Sequence, residues 1–257
     1  MPSLFVSHGS PMVALDGSPA HHFFTQAGSL LPRPRAIIVV SAHHQGRPIE
    51  VTASANPPTI YDFGPFDHRL FKLSYPAPGE PALAQRCVEL LLDAGLPARL
   101  SMSRGFDHGA WIPLMLMYPA ADIPVVQVSL PVDADPTVSW RLGQALAPLA
   151  VEPDVLVIGS GAVTHDLRRV FGQPMDAPVP VDTERFATWI GERVVGGEVD
   201  TALNYRALNP DGVRNHPTEE HLMPLFVAWG AAGRPEGQIA HQSAAYGGLR
   251  MDAYFWV

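Results

Sequence analysis

Thiols are almost absent from this 257-residue chain, since Cys87 stands alone, and that excludes both an internal disulfide and a thiolate metal cluster. Its setting among Leu83, Leu90, Leu91 and Ala94 places it on the apolar stripe of a helix, which is a core position. Charge is scarce too, at 16% of residues, and cations are outnumbered, 17 Lys plus Arg against 25 Asp plus Glu for a formal net charge of -8. A phosphate backbone is held by clustered cations, so no nucleic acid is expected as partner and a small molecule is. No apolar run approaches the roughly 18 residues of a membrane span. Met1 through His8 lacks the cationic start and the apolar stretch of a signal peptide, so the first strand should enter the fold directly. The expectation is a cytoplasmic protein with no membrane partner; the pattern carries no oligomeric state. Phosphate loops and Gly-rich dinucleotide fingerprints are missing. Gly159-Ser160-Gly161 is no nucleophile elbow, because Ile158 and Ala162 stand where that motif has glycine.

What the chain does have is apolar mass, 47% of residues, enough for one large core over residues 1–257. Leu4-Phe5-Val6, Ala36 through Val40, Pro124 through Val128 and Val155 through Ile158 read as buried strands. Helices fall between them. One runs from Pro81 to Ala94 with Gly95 past its end, a second opens at Asp135-Pro136, and a third runs from about Asp182 to Val195 before Gly196-Gly197. This alternation predicts a single-domain α/β fold with a largely parallel central sheet flanked by helices on both faces. At the end of the chain Leu249, Met251, Ala253, Phe255 and Val257 alternate with Arg250, Asp252, Tyr254 and Trp256. Period two predicts a half-exposed, antiparallel C-terminal strand near a sheet edge. The 27 prolines gather in connections such as Asn56 through Thr59, which read as stiff loops, with no repeat or low-complexity linker.

Eleven histidines are the unusual count. His8, His43 and His165 each follow an apolar strand, and in a parallel sheet those ends share one edge, where open α/β folds bind their ligands. Taken singly, each reads as a structural or exposed imidazole; three at one predicted place read as a metal site. Gly9 and Gly159-Ser160-Gly161 would permit the close backbone approach that a crowded site needs. His108, in Phe106-Asp107-His108-Gly109, opens an apolar helical run whose N-terminus disfavours imidazolium, leaving it a proton acceptor or simply a cap. His221 follows Thr218, a candidate N-cap, on a first turn before Pro224, with Glu219 and Glu220 as competing ligands. His44 should face away from His43, and His21 and His22 read as a surface pair. His68, His216 and His241 carry no assigned role.

Taken together, Ser7-His8-Gly9-Ser10-Pro11, Val39-Val40-Ser41-Ala42-His43, Thr59 through Gly64, Gly105 through Gly109, Gly161 through His165 and Pro217 through His221 resemble the class III extradiol ring-cleaving dioxygenases. The resemblance is to their DOPA-dioxygenase-like branch and spans nearly the whole chain. It implies a non-haem Fe(II) enzyme that opens a catechol ring beside its two hydroxyls with O2. It also implies His8, His43 and His221 as metal ligands, His165 as a further ligand or an active-site acid/base, and His108 as a catalytic-pocket histidine. Family members often carry Trp where this chain has His44. Three neutral imidazoles leave the metal its full 2+ charge and so favour an anionic chelating catecholate. The Tyr61 through Phe66 segment could stack on a planar ring, but reads more simply as a packed loop. Two other readings remain open: a zinc hydrolase, because the same donors suit Zn(II) and an activated water, and a non-catalytic scaffold on the same fold.

Overall fold

The computed structural model describes residues 3–151 and 154–257; the expected entry of Met1 and Pro2 into the first strand lies outside them. The described strands are β1 (Ser3–Ser7), β2 (Ala36–Gly46), β3 (Ile49–Thr52), β4 (Ala98–Ser101), β5 (Val125–Pro131), β6 (Val155–Gly161), β7 (Gln238–His241), β8 (Ala244–Ala245), β9 (Leu249–Arg250) and β10 (Ala253–Trp256). Eight form one sheet in the order β4-β3-β5-β2-β6-β1-β10-β7, and β8 pairs with β9 separately. The four central strands, β5-β2-β6-β1, are parallel. Antiparallel pairings begin where β3 meets β5 and where β10 meets β1.

The apolar runs form the centre of this sheet because both faces are covered. On one face Ile38, Val40, Val126, Val128, Val155 and Val157 pack beneath α2 (Pro81–Asp93), α4 (Pro136–Val151), α5 (Val181–Gly196) and, after the short α6 (Val199–Leu203), α7 (Tyr205–Leu208) and α8 (Gly212–Asn215), beneath α9 (Met223–Ala231). On the other face Ile37, Val39, Val125, Leu156 and Ile158 meet α1 (Pro19–Ala27) and α3 (His108–Met117). The three helices read from proline and glycine punctuation are α2, α4 and α5. Gly95 and Gly197 take φ of 72° and 68° just past two of them, a left-handed turn that glycine adopts without strain. Asp135 Oδ1 accepts from Val138 N at 2.7 Å at the start of α4. Cys87 is buried in the core. No helix among the described residues is long and apolar enough to cross a membrane.

The C-terminal strand corrects one expectation. It is antiparallel, but it covers only Ala253–Trp256, lies one strand in from the edge and is buried on both faces. Tyr254 and Trp256 join the core that includes α5 and α9, while Ala253 and Phe255 join the opposite core. The alternation was real, but its second face consists of large aromatics under helices rather than solvated side chains. Arg250 and Asp252, which looked like exposed positions, are buried as an ion pair at 3.0 Å.

Candidate metal centre

Five histidines from distant parts of the chain meet at one end of the parallel strands and line a single cavity: His8, His43, His108, His165 and His221. His8 follows β1 directly, and its backbone N–H donates to Gly161 O at 2.9 Å, extending the β1–β6 pairing by one residue. His43 lies inside β2 rather than after it. Pairing with β5 slips between Ser41 and Gln45, so Ala42, His43 and His44 form a bulge, a device that re-aims side chains beside active sites. His43 faces the cavity, whereas His44 is buried with Nε2 3.5 Å from Glu50 Oε2. His165 sits in the turn after β6 and donates its backbone N–H to Asn215 O at 2.8 Å.

His221 is not on a helix. It occupies the turn before α9, which starts at Met223 with Pro224 in its first turn, where a missing N–H does no harm. Thr218 does not cap it; its hydroxyl donates to Glu220 Oε1 at 3.0 Å. Two glycines of β6 let this turn come close. A Cβ on Gly161 would lie 2.1 Å from His221 O, and one on Gly159 would lie 2.0 Å from Pro224 O. In their absence Ala162 N–H reaches His221 O at 2.7 Å.

The Nε2 atoms of three rings converge. His43 Nε2 is 3.0 Å from His8 Nε2 and 3.3 Å from His221 Nε2. Ser160 determines the tautomer of His8, because its hydroxyl donates to Gly109 O and therefore accepts from His8 Nδ1–H, 3.0 Å away. Glu220 does the same for His221, accepting from Nδ1–H at 2.9 Å. Both leave an Nε2 lone pair aimed at His43, and one proton on His43 Nε2 could satisfy only one of them. Burial and the neighbouring histidines push His8 and His221 well below the ordinary imidazole range. Burial, then His108, brings His43 down to about 4. Neutral nitrogens with facing lone pairs repel unless a cation lies between them. Nitrogens bonded to one ion at about 2.0–2.1 Å stand roughly 3 Å apart, which matches these separations.

The other two rings sit differently. His165 stacks on His221 at a centroid separation of 3.3 Å and an interplanar angle of 9°; burial pushes it down to about 4. His108 opens α3, with Asp107 as N-cap, and its centroid is 4.0 Å from that of His43. Donor groups of His8, His43 and His108 lie within 4.8 Å of one another, as do those of His165, Glu220 and His221. Among these donors, the Nε2 atoms of His8, His43 and His221 are the ones that face one another at 3.0 and 3.3 Å. Asp62 was not read as a site residue, yet its Oδ1 accepts from His108 N at 2.8 Å and lies 3.0 Å from His108 Nδ1. Burial pushes this carboxyl up, but the hydrogen bonds and charge of His108, with the charge of His43, outweigh it and hold it at about 2.

The cavity measures about 620 Å³. Asp62 through Phe66 form part of its wall, so this segment is more than the packed loop expected, although Tyr61 turns away and donates to Leu73 O at 2.6 Å. The lining also includes Leu167, Val170, Phe171 and Gln173, with Tyr246 and Leu249, none of which the sequence assigned to the site. Of the two glutamates that competed with His221, Glu220 supports its ring, while Glu219 accepts from Tyr205 OH at 2.9 Å. His216 is buried against Val163 O, His241 stacks on Phe23, and His21 is half-buried with Nδ1 2.7 Å from Val13 O, so it is no simple surface residue.

The family described as the catalytic LigB subunit of aromatic ring-opening dioxygenase matches residues 2–255. A protein of Beta vulgaris named 4,5-DOPA dioxygenase extradiol is 39% identical over 98% of this chain and 95% of its own length. One of the same name from Escherichia coli K12 is 42% identical over 90% and 85%. A crystal structure of an uncharacterised Escherichia coli K12 protein superposes with a TM-score of 0.83 at 37% identity, covering all of both chains.

Proposed function

The chain belongs to the LigB family of aromatic ring-opening dioxygenases, and from that premise we propose that it is an extradiol enzyme in which His8, His43 and His221 hold one divalent metal. Fe(II) is the active ion, and the substrates are O2 and a catechol, with DOPA as the reference compound because the relatives carry that name. The carrying observation is the meeting of three Nε2 atoms at 3.0 and 3.3 Å, with two tautomers set by Ser160 and Glu220. Bound Fe(II) supplies the electron transfer that allows O2 to react with the ring. The protein does the rest. Neutral imidazoles leave the site cationic and receptive to a catecholate, while Phe63 and Phe66 exclude water from one side of the ring. His165, beside the ligand set and unprotonated at neutral pH, takes a hydroxyl proton at one of its ring nitrogens and returns it to the product, and His108 is the second candidate for such a transfer. Both oxygen atoms enter the product, a muconic semialdehyde formed by opening the bond beside the two hydroxyls.

Zn(II) suits the same three donors and binds more tightly than Fe(II), so metal content alone does not test the activity. Anaerobic reconstitution with Fe(II), followed by air and a catechol panel including DOPA, should give one O2 consumed per ring-opened yellow product. Absence of O2 uptake across the panel would overturn the proposal.

A further inference from the structure

The cavity is much larger than a catechol ring, and its outer walls differ in character from the histidine floor. Among the described residues that line it there is no lysine or arginine. The arginines near the lining segments are engaged by carboxylates, including Arg104, which donates to His43 O and meets Asp107 at 3.2 Å, and Arg47, which meets Asp133 at 2.7 Å. Arg69 meets Asp67 at 2.7 Å, Arg168 meets Asp166 at 2.8 Å, Arg169 meets Asp182 at 2.7 Å and Arg250 meets Asp252 at 3.0 Å. Asp62 is the one carboxylate among the described lining residues, its Oδ1 3.0 Å from His108 Nδ1. A carboxylate on the substrate's side chain would therefore find no cation beyond the metal floor and would face a like charge. Burial of an unpaired carboxylate is strongly unfavourable.

The rim points the same way. Phe171 is 70% exposed, Phe66 38% and Leu167 37%, and all three line the mouth with Phe63 and Val170 further in. Large apolar side chains gathered at one opening are uncovered in the free protein and covered by an apolar ligand. We infer that the substrate class of this site is a catechol bearing an uncharged, apolar substituent, an alkyl chain or second aryl ring reaching from the metal floor to the Phe66–Phe171 rim. Catechols with a carboxylate side chain, DOPA included, are then poor members of the substrate range. This rests on the catechol reading above and specifies which catechols.

The test is a matched pair of ligands, 4-propylcatechol and 3-(3,4-dihydroxyphenyl)propanoate, which differ in one terminal group, titrated by calorimetry into Fe(II)-loaded enzyme under nitrogen. The neutral compound should bind roughly tenfold tighter or more, since only the propanoate places a charge against these walls. Gln173→Arg adds a cation at an exposed lining position and should narrow the ratio at least about threefold by improving the propanoate. Equal or tighter binding of the propanoate by the native enzyme overturns the inference, as does a ratio that Gln173→Arg does not move. Admitting air to the same samples separates the two claims. Tight, selective binding of 4-propylcatechol without O2 uptake would sink the ring-cleavage reading and leave the pocket assignment standing; O2 uptake with DOPA or the propanoate preferred would do the reverse.

Discussion

Ser160 Oγ stands 3.0 Å from His8 Nδ1 although 152 residues separate the two, and its own O–H donates a hydrogen bond to Gly109 O. The hydroxyl therefore acts only as an acceptor toward the imidazole, which forces the His8 lone pair onto Nε2, the atom facing His43. Ser160→Ala removes that acceptor with little loss of volume. Metal affinity, measured by chelator competition, should fall about 10- to 100-fold, as for other losses of a ligand's hydrogen-bond partner. Unchanged affinity would show that packing alone orients the ring.

Glu220 supports His221 with charge as well as geometry. Glu220→Gln keeps a possible acceptor for Nδ1–H but loses the negative charge, whereas Glu220→Ala loses both. Affinity for the metal should fall in the order native, Gln, Ala. Gln at or below Ala would assign the effect to charge alone.

His165 stacks flat on His221 instead of joining the Nε2 cluster. His165→Ala should retain about one metal per chain while turnover falls by roughly 10²- to 10⁴-fold, the usual worth of a positioned acid or base. Loss of metal along with turnover would instead make His165 a ligand.

Gly161 is defined by what its missing side chain would strike, the carbonyl of His221 at 2.1 Å. Gly161→Ala must push the turn before α9 away from β6. Thermal denaturation should show a loss of about 1–3 kcal/mol, typical of an overpacked interior, together with lowered metal affinity. Gly172→Ala serves as a control: it meets no atom within 4 Å, and although its positive φ of 80° adds local strain, it should leave metal affinity alone.

Acid should weaken the metal-free protein through its buried imidazoles. His43, His165 and His216 are pushed down to about 4, in each case by burial first, whereas in the unfolded chain they titrate near 6.5. Between those values the unfolded state binds more protons, so stability is full above about pH 6.5 and falls as pH drops toward 4. Melting temperatures at pH 7.5, 6 and 5 should decline in that order. A flat profile across this window would contradict the burial of these rings.

Much of the fold was legible because its signals are local. Ala36 through Val40 and Val155 through Ile158 are too apolar and too short for anything but central strands, and Pro81, Gly95, Pro136 and Gly197 mark helix ends through their own backbone restrictions. The C-terminal strand misled because alternation reveals two faces without saying what covers the second. Helix α5 and its neighbours bury Tyr254 and Trp256 there. His8 and His165 could be placed from strand ends, and His43 to within a bulge, because parallel strands send their carboxyl ends to one edge.

By itself the sequence determined the α/β architecture, the shared edge for three histidines and, through its motifs, the family. Tertiary structure alone decided which nitrogens face one another, that His221 comes from a turn pressed onto Gly161, that Asp62 pins His108 and that Phe66 and Phe171 form the rim. The reason is physical. Strand and helix formation depend on neighbours a few residues away, whereas a tautomer, a lone-pair direction or the charge of a pocket wall depends on atoms brought together from more than a hundred residues apart.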